Sequence, residues 1–333
     1  MKIFRFLLIF SVMYVLSGCK TQLNLSMTSV PEEGGMKFTQ FTKDEDVVLG
    51  PSVNKYGDKI LWYAPPLIAL SPDGSKLTYM GLKNDNKNIY IKSTQGGGAT
   101  IQRTFRNNVL DMSFSPDGKK IAFTEYVEGN DNIYVINATE GSAIQQITST
   151  SADEMGPQYS PDGTRIFFTR AEKTMVGTVP VSRYYIWSFD NRTSLFTQYS
   201  EGFTPSMLPD GENLVITRNN KESKLGEIWM IDIMKGNETL LLSDKTRGFS
   251  SPQVSPDGKK VICVGTTQVT KSKPQNLDLY SFNIDGTGLT QLTFHPGNDV
   301  SPKWSPDGKS IFSISQRGTQ KGTWNVWQMT FNQ

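Results

Sequence analysis

Cysteine and histidine are nearly absent from this sequence, which has two cysteines and one histidine in 333 residues. A structural zinc site needs about four such ligands, so the composition argues against one. The histidine, His295, lies in a Phe-His-Pro-Gly sequence typical of a loop, and we predict no catalytic role for it and no metal site. Cys263 lies in an apolar, strand-like run and is predicted to be a buried thiol.

Motifs of known catalytic folds are also missing. The sequence contains no Gly-x-Ser-x-Gly, the turn on which an α/β-hydrolase exposes its nucleophilic serine. Its glycine-rich stretch, Gln95-Gly96-Gly97-Gly98, is predicted to be a turn between strands and not a phosphate-binding loop that leads into a helix. We therefore predict that the protein is not an enzyme and has neither a catalytic residue nor a cofactor.

Long apolar runs are confined to the N-terminus. Lys2 precedes a largely apolar stretch over residues 3–16, and small residues follow it up to Cys19. This stretch is too short to cross a ~30 Å hydrocarbon core comfortably, and it has the pattern of an export signal. We predict a signal peptide over residues 1–18. Its removal lowers the formal net charge from +2 to 0, because it carries two positive charges, and this balance argues against a nucleic-acid partner.

The end of this signal, Leu16-Ser17-Gly18-Cys19, resembles the lipobox of bacterial lipoproteins, in which the cysteine becomes the first mature residue and is acylated. Several acyl chains prevent desorption, since each buried CH₂ contributes about 0.8 kcal/mol. We predict a lipidated Cys19 and a flexible tether over residues 19–36. The alternative is an ordinary secretory signal with an incidental cysteine. By the same resemblance, Lys20 stands where inner-membrane lipoproteins commonly have aspartate, which implies an outer-membrane lipoprotein that faces the periplasm; exposure at the cell surface is the alternative.

A sixfold internal repeat indicates the architecture. Pro-Asp-Gly recurs at spacings of 44 to 50 residues, and in five of the six copies a serine precedes the proline. This period matches one four-stranded propeller blade. Proline presets φ for the first turn position, aspartate bonds to the backbone further along, and glycine supplies the positive φ of a tight hairpin. The prolines are Pro72, Pro116, Pro161, Pro209, Pro256 and Pro306.

Apolar runs before and after each turn predict the first two strands, A and B, of six blades. A third run predicts strand C and a shorter fourth run predicts strand D. Every strand C carries an aromatic residue at the same place, which we interpret as a core residue between blades; a stacking surface for sugars or bases is the alternative. These residues are Tyr90, Tyr134, Trp187, Trp229, Tyr280 and Trp327.

The last repeat has no strand D of its own, whereas residues 37–42 read as a strand D without a preceding blade. We therefore predict an all-β fold over residues 37–333: a six-bladed β-propeller of four-stranded antiparallel blades, closed by an N-terminal strand that completes the last blade. Such closure removes unpaired sheet edges. Residues 51–62 resemble one more A–B hairpin, which we assign to a decayed hairpin of the first blade, with a seventh blade as the alternative.

The Ser-Pro-Asp-Gly modules resemble the TolB-type (WD40-like) propeller repeat, which also occurs in the propeller of prolyl oligopeptidases. The resemblance covers roughly residues 37–333 and implies the propeller fold. TolB proteins carry an additional α/β domain before the propeller, for which the predicted boundaries leave no room. The resemblance therefore does not extend to the role of TolB in the Tol–Pal system.

The candidate binding surface is the face on which loops vary. In a propeller the A–B and C–D turns share one face, and the D–A and B–C loops share the other, where residues 170–183 and 265–276 predict long loops. Charges of both signs there could hold the ends or carboxylates of a peptide; the alternative is that they pair with one another. The candidate ligand-binding residues are Arg170, Arg218, Arg317, Asp111, Asp153, Glu154, Glu201, Arg247, Asp299 and Trp324.

These features predict a monomeric, non-catalytic lipoprotein of the bacterial envelope. It would bind a protein or peptide through its loop-rich face and contact the membrane through the lipid on Cys19. One alternative is a carbohydrate-binding or glycan-processing propeller, which needs exposed aromatic residues or paired carboxylates. Another is a purely structural envelope component.

Overall fold

The computed structural model describes residues 29–33, 35–43, 48–49, 66–84, 86–96, 99–106, 108–139, 143–176, 178–266, 276–318 and 323–331. The predicted signal peptide, Cys19 and the segment 51–62 lie outside these ranges. The described residues include no helix with the length and apolar character that a membrane crossing requires.

The described residues form 25 β-strands. In chain order these are β1 (Ser29–Glu33), β2 (Met36–Gln40), β3 (Ile68–Leu70), β4 (Lys76–Lys83), β5 (Asn86–Ser93), β6 (Ile101–Gln102), β7 (Val109–Phe114), β8 (Lys120–Val127), β9 (Asn130–Asn137), β10 (Gln145–Gln146), β11 (Asp153–Tyr159), β12 (Arg165–Val176), β13 (Val179–Asp190), β14 (Phe196–Glu201), β15 (Phe203–Met207), β16 (Asn213–Asn219), β17 (Gly226–Asp232), β18 (Glu238–Leu242), β19 (Phe249–Val254), β20 (Lys260–Thr266), β21 (Leu277–Asn283), β22 (Thr290–Gln291), β23 (Asp299–Trp304), β24 (Ser310–Ser315) and β25 (Asn325–Phe331).

Six antiparallel sheets are the six blades of a propeller, and the predicted fold is confirmed. Strands β3–β6, β7–β10, β11–β14, β15–β18 and β19–β22 form blades 1 to 5, and β23–β25 begin blade 6. Strand A of each blade ends at the residue before the repeated turn. The terminal residues are Leu70, Phe114, Tyr159, Met207, Val254 and Trp304.

The N-terminal strand closes the ring, as predicted. Strand β2 pairs antiparallel with β25, from Met36 opposite Phe331 to Gln40 opposite Trp327. Strand β1 then pairs with β2, which makes blade 6 a five-stranded sheet. This outermost strand corrects the predicted flexible tether over residues 19–36, because residues 29–33 of that segment are in a sheet. The polar composition concealed a strand that is formed by pairing with the edge of β2.

The repeated turns owe their shape to serine, aspartate and glycine together. In blade 2, Ser115 Oγ donates to Asp117 Oδ1 at 2.6 Å and accepts the Lys120 N–H at 2.9 Å. Gly118 closes the turn with a φ of 68°, a backbone conformation that favours glycine. Blade 4 departs from this pattern, because Leu208 stands where the other copies have serine.

Strand A of four blades contains a bulge next to a proline that the sequence analysis did not predict. The residue before a proline has a positive φ in each case, and the strand register shifts there. Positive φ is uncommon for residues other than glycine and costs about 1–3 kcal/mol, whereas proline, which lacks an N–H, is tolerated at a bulge. These residues are Gly156, Thr204, Ser251 and Ser301. All four of these residues, with Pro205, Pro302, Gln158 and Gln253, line one narrow cavity between the blades.

Candidate functional site

Arg170 in blade 3 is held between a carboxylate and aromatic rings. Its Nε donates to Glu154 Oε1 at 3.0 Å, and its guanidinium lies 4.1 Å from the centroid of Trp187. Glu154 is fully buried. Burial raises the pKa of Glu154, whereas a hydrogen bond from Thr150 and the charge of Arg170 lower it. Arg170 thus stabilises the charge of a buried carboxylate, and little of its side chain reaches solvent.

Arg218 has an equivalent arrangement in blade 4. Its terminal nitrogens bond to Glu238, the closer contact measuring 2.8 Å, and its Nε donates to the carbonyl oxygen of Glu201 at 2.9 Å. The guanidinium lies 4.7 Å from the centroid of Trp229. The hydrogen bonds from Arg218 lower the pKa of Glu238, against the opposing effect of burial.

Arg317 and Asp299 form a buried ion pair in blade 6. Arg317 Nη2 lies 3.2 Å from Asp299 Oδ2, and the two side chains are only 2% and 1% exposed. The ring beneath this guanidinium is Phe38 of the closing strand, at 3.9 Å. Burial raises the pKa of Asp299, and the charge of Arg317 opposes the shift. The pair thus belongs to the ring closure and does not present charge to a ligand.

The same combination of an arginine, a carboxylate and an aromatic ring occurs twice more. Arg247 Nη2 bonds to Asp244 at 2.8 Å and its guanidinium lies 5.7 Å from the centroid of Tyr280. Arg106, which the sequence analysis did not single out, bonds to Glu125 at 2.8 Å beside Tyr134. An arginine, a carboxylate and an aromatic ring therefore recur in blades 2 to 6. This agrees with the alternative that the predicted charges pair within the protein. In blades 2 to 5 the ring is the repeated strand-C aromatic residue, which was the sequence signal for this combination, whereas blade 6 uses Phe38.

The remaining candidate residues are spread around the face and form no single cluster. Asp153 is buried and lies 3.7 Å from Lys173 Nζ. The side chain of Glu201 is exposed, whereas Trp324 is half-buried and packs against the core. His295 accepts the Gly297 N–H at its Nδ1 at 2.9 Å, a bond that shapes the loop. Within the described ranges, no three or more His, Cys, Asp or Glu residues form a group that could hold a metal ion.

Asp111 lies near the propeller axis, apart from the other candidates. It is fully buried, and its Oδ2 accepts the Gly156 N–H at 2.9 Å. Burial raises its pKa from the ordinary 3.8 to about 7, against hydrogen bonds from Thr124 and Gly156 that lower it. Innermost strands line a narrow axial cavity here, with room for about one water molecule.

Lys303 approaches this axis from blade 6, and sequence reasoning missed it. Its Nζ donates to Gln253 Oε1 at 2.7 Å. Burial lowers the pKa of Lys303 from 10.5 to about 7, and the charge of Asp111 opposes that shift. The axis therefore contains one buried acid and one buried base, each of which is destabilised in its charged form.

Replacing Asp111 with asparagine should change how stability depends on pH. Folded Asp111 holds its proton up to about pH 7, whereas the unfolded chain releases it near pH 4. The protonated Asp111 carboxyl therefore contributes its full share of the free energy of unfolding below pH 4, and this share is lost as pH rises to 7. Asp111→Asn should gain stability relative to the wild type by about 1.4 kcal/mol per pH unit in this window, measured by urea unfolding at several pH values.

The matched control for this experiment is Asp117→Asn at an exposed turn. Hydrogen bonds from Ser115 and the Lys119 N–H lower the pKa of Asp117, so its contribution is lost when pH falls, the opposite direction. This variant should show no gain over the wild type between pH 5 and 7. Parallel stability profiles for Asp111→Asn and the wild type would contradict the assignment of a buried, protonated carboxyl.

Comparisons with known proteins identify the family. The model of the TolB beta propeller domain matches residues 58–270 and 190–333. The chain belongs to the TolB β-propeller family. TolB from Acinetobacter baumannii superimposes with a TM-score of 0.61 at 21% identity, over 79% of this chain and 65% of that one. An oligogalacturonate lyase from Vibrio parahaemolyticus superimposes with a TM-score of 0.60 at 12% identity, over 92% and 98% of the two chains. These likenesses show the fold alone.

A curated relative is similar to part of this TolB-family propeller. The uncharacterized peptidase YuxL of Bacillus subtilis is 27% identical over 194 residues, which are 48% of this chain and 29% of YuxL. The chain therefore matches less than a third of that relative's length. The similarity concerns the repeat and does not transfer an activity.

The loop-rich face of this TolB-family propeller bears a projecting β-hairpin in blade 3. Strands β12 and β13 have 12 residues each and pair with one another along their whole length. The neighbouring strand β11 pairs only as far as Ala171, and β14 pairs only from Tyr185. Residues 172–176 of β12 and 179–183 of β13 therefore extend beyond the sheet as a two-stranded ribbon. This corrects the long B–C loop predicted over 170–183, because the described residues of that segment lie mainly in two paired strands.

Proposed function

We propose that this TolB-family propeller is a non-catalytic lipoprotein of the bacterial envelope that binds a protein or peptide on its loop-rich face. The observation that carries the proposal is the projecting ribbon of residues 172–176 and 179–183. Its two edges have no further strand paired to them in the described part of the chain. Open strand edges can accept a partner's backbone by strand addition.

The side chains of the ribbon support a contact with another protein. Met175 is 63% exposed and Val181 is 36% exposed, and apolar side chains at such a projecting position favour association. Lys173 adds a charge, with its side chain 54% exposed. The arginines of the same face are paired internally, so they hold the blades in shape around the ribbon and do not themselves grip the partner.

The anchor and location belong to the same proposal. The lipid on Cys19 would anchor the protein in the outer membrane, and the residues up to β1 would tether the closed propeller to it. The propeller would be a monomer that faces the periplasm. The resemblance of the Leu16–Cys19 sequence to a lipobox supports this arrangement. Metabolic labelling with a palmitate analogue should label the wild type and not Cys19→Ser.

A ribbon-shortening variant tests the binding proposal. Residues 173–182 are replaced by Asn-Gly, a two-residue turn that can join the opposed residues Glu172 and Arg183. We expect the melting temperature of a Lys173→Met variant, because the ribbon otherwise lies outside the core and the contact of Lys173 with buried Asp153 is the one that is lost. We also expect at least tenfold weaker binding of a partner purified from envelope extracts on residues 20–333. Binding is measured by surface plasmon resonance with the purified partner.

The matched control changes exposed charges on the opposite face. Lys119→Ala with Lys309→Ala lies on the Pro-Asp-Gly turns and should leave the affinity unchanged. Full affinity in the shortened variant together with lost affinity in this control would place the partner on the turn face. Binding of purified oligosaccharides in place of a protein would favour the carbohydrate alternative.

A further inference from the structure

The turns of neighbouring blades meet through a repeated contact between proline and glycine. A Cβ placed on the turn glycine would lie 3.4–3.6 Å from the Cδ of the preceding blade's turn proline at four of the six junctions. Two junctions depart from this, because a Cβ on Gly211 or Gly308 would have no heavy atom within 4 Å. Four glycine–proline pairs make the contact: Gly74 with Pro306, Gly118 with Pro72, Gly163 with Pro116, and Gly258 with Pro209.

The junction between blades 3 and 4 opens into a cleft where this contact is missing. Its volume is about 360 Å³, within the usual range for sites that bind small molecules. The cleft lies on the turn face, opposite the ribbon, and borders Pro161 of one turn and Gly211 of the next. Leu208, which replaces the repeated serine, begins the turn that forms its blade 4 wall.

The apolar part of the cleft lining comes from both blades. Phe167 and Met207 contribute at the inner side, and Met234 lies at the entrance with its residue surface 73% exposed. Methionine is flexible and polarizable, so it adapts to ligands of different shape. This part of the cleft suits a short hydrocarbon or an apolar side chain.

The charged part of the cleft has spare hydrogen-bond donors but few spare acceptors. Arg165 Nε is 3.9 Å from Asp190, and Arg165 Nη1 is 3.4 Å from Tyr199 Oη. Arg192 Nη2 bonds to Asp190 at 3.1 Å, and its side chain is 65% exposed. Because a guanidinium has five N–H donors, both arginines can bond to a ligand as well.

The carboxylates of the lining are occupied within their own turns. Asp162 accepts from Ser160 Oγ and from both N–H and Oγ1 of Thr164 at 2.6–3.0 Å. Asp210 accepts the N–H groups of residues 212 and 213 and the side-chain amide of Asn213 at 2.8–3.1 Å. The polar group that this cleft accommodates is therefore an acceptor, and a carboxylate fits two guanidinium groups.

We propose that the cleft binds a small amphipathic carboxylate. Its apolar part would lie on Met207 and Met234, and its carboxylate would accept hydrogen bonds from Arg165 and Arg192. A fatty acid and an acidic, apolar peptide both present this chemistry. The site is on the face opposite the proposed partner surface and does not depend on it.

Ligand-observed NMR on the chain from Lys20 to Gln333 tests the site with three probes. Octanoate and N-acetyl-Leu-Glu-Leu-amide carry the carboxylate, and octylammonium carries the same alkyl chain with a positive charge. We expect saturation transfer to at least one carboxylate and weaker transfer to octylammonium. Octanoate alone would identify a fatty acid, and the peptide alone would identify a peptide. Binding of neither carboxylate, or equal binding of octylammonium, would overturn the proposal.

Two variants locate the binding in the cleft. Arg165→Gln with Arg192→Gln should weaken carboxylate binding about tenfold or more, since hydrogen bonds to charged groups are the strong ones. Met234→Gln removes apolar contact at an exposed position and should weaken it less, which keeps the test decisive if the double variant unfolds. Lys259→Gln with Lys309→Gln, on the turns of blades 5 and 6, is the control. Unchanged affinity in both cleft variants would contradict the site.

Discussion

Replacing Phe38 with alanine should lower the free energy of unfolding by about 3–5 kcal/mol, the usual cost of removing a buried phenylalanine. Phe38 is 1% exposed in the strand that closes the ring, and its ring lies beneath the Arg317 guanidinium at 3.9 Å. The substitution would therefore open a cavity and remove a cation–π contact at the junction between the two ends of the chain. Urea unfolding monitored by tryptophan fluorescence measures the loss.

Lys37→Ala is the matched control for this substitution. Lys37 directly precedes Phe38 on the same strand and its side chain is exposed. The free energy of unfolding should therefore change by no more than about 0.5 kcal/mol. Deleting residues 20–28, which precede β1, should also leave the melting temperature unchanged. If Phe38→Ala and Lys37→Ala unfolded at the same urea concentration, β2 would not be the strand that holds the ring closed.

The second large effect concerns the ion pair between Arg317 and Asp299. Removing one partner of a buried pair leaves the other charge uncompensated, at a cost of about 3–5 kcal/mol. Arg317→Met should therefore destabilise the protein strongly. Asp299→Asn in the same chain should recover part of the loss, because the remaining side chain is then neutral. A double-mutant cycle in urea measures the coupling.

Exposed ion pairs provide the contrast. Lys235 lies 3.3 Å from Asp232, with side chains 73% and 20% exposed, and pairs of this kind contribute about 0–1 kcal/mol. Lys235→Met should accordingly have little effect on unfolding. A small effect of Arg317→Met as well, without coupling to Asp299, would mean that the buried pair is not required for closure.

The parts of the fold that the sequence predicted are those with local causes. Each Pro-Asp-Gly turn determines its own hairpin, since the bonds of Ser115, Asp117 and Gly118 span only a few residues. The strand-A ends and the register of the repeat follow from these turns. Closure by β2 was also predictable, because a missing strand at one end of the repeat matched an extra strand at the other.

The features that the sequence did not predict depend on contacts between distant residues. Strand β1 has a polar sequence and is formed by pairing with β2. Residues 170–183 read as a loop because their polar and apolar residues do not mark a hairpin clearly. Charged residues such as Arg170 were predicted to be available to a ligand at the surface. In the structure, carboxylates and aromatic rings on other strands bond to or contact them. Residue type alone does not reveal which charge is already paired.

Site-specific photo-crosslinking in living cells tests the central claim, that the loop-rich face is the binding surface, most directly. A photoreactive amino acid is placed either at Thr174 in the ribbon or at Lys309 on a Pro-Asp-Gly turn, both exposed positions. We expect a discrete crosslinked protein from position 174 and none of that mass from position 309. The same partner crosslinked from position 309 and absent from position 174 would contradict the proposed binding face.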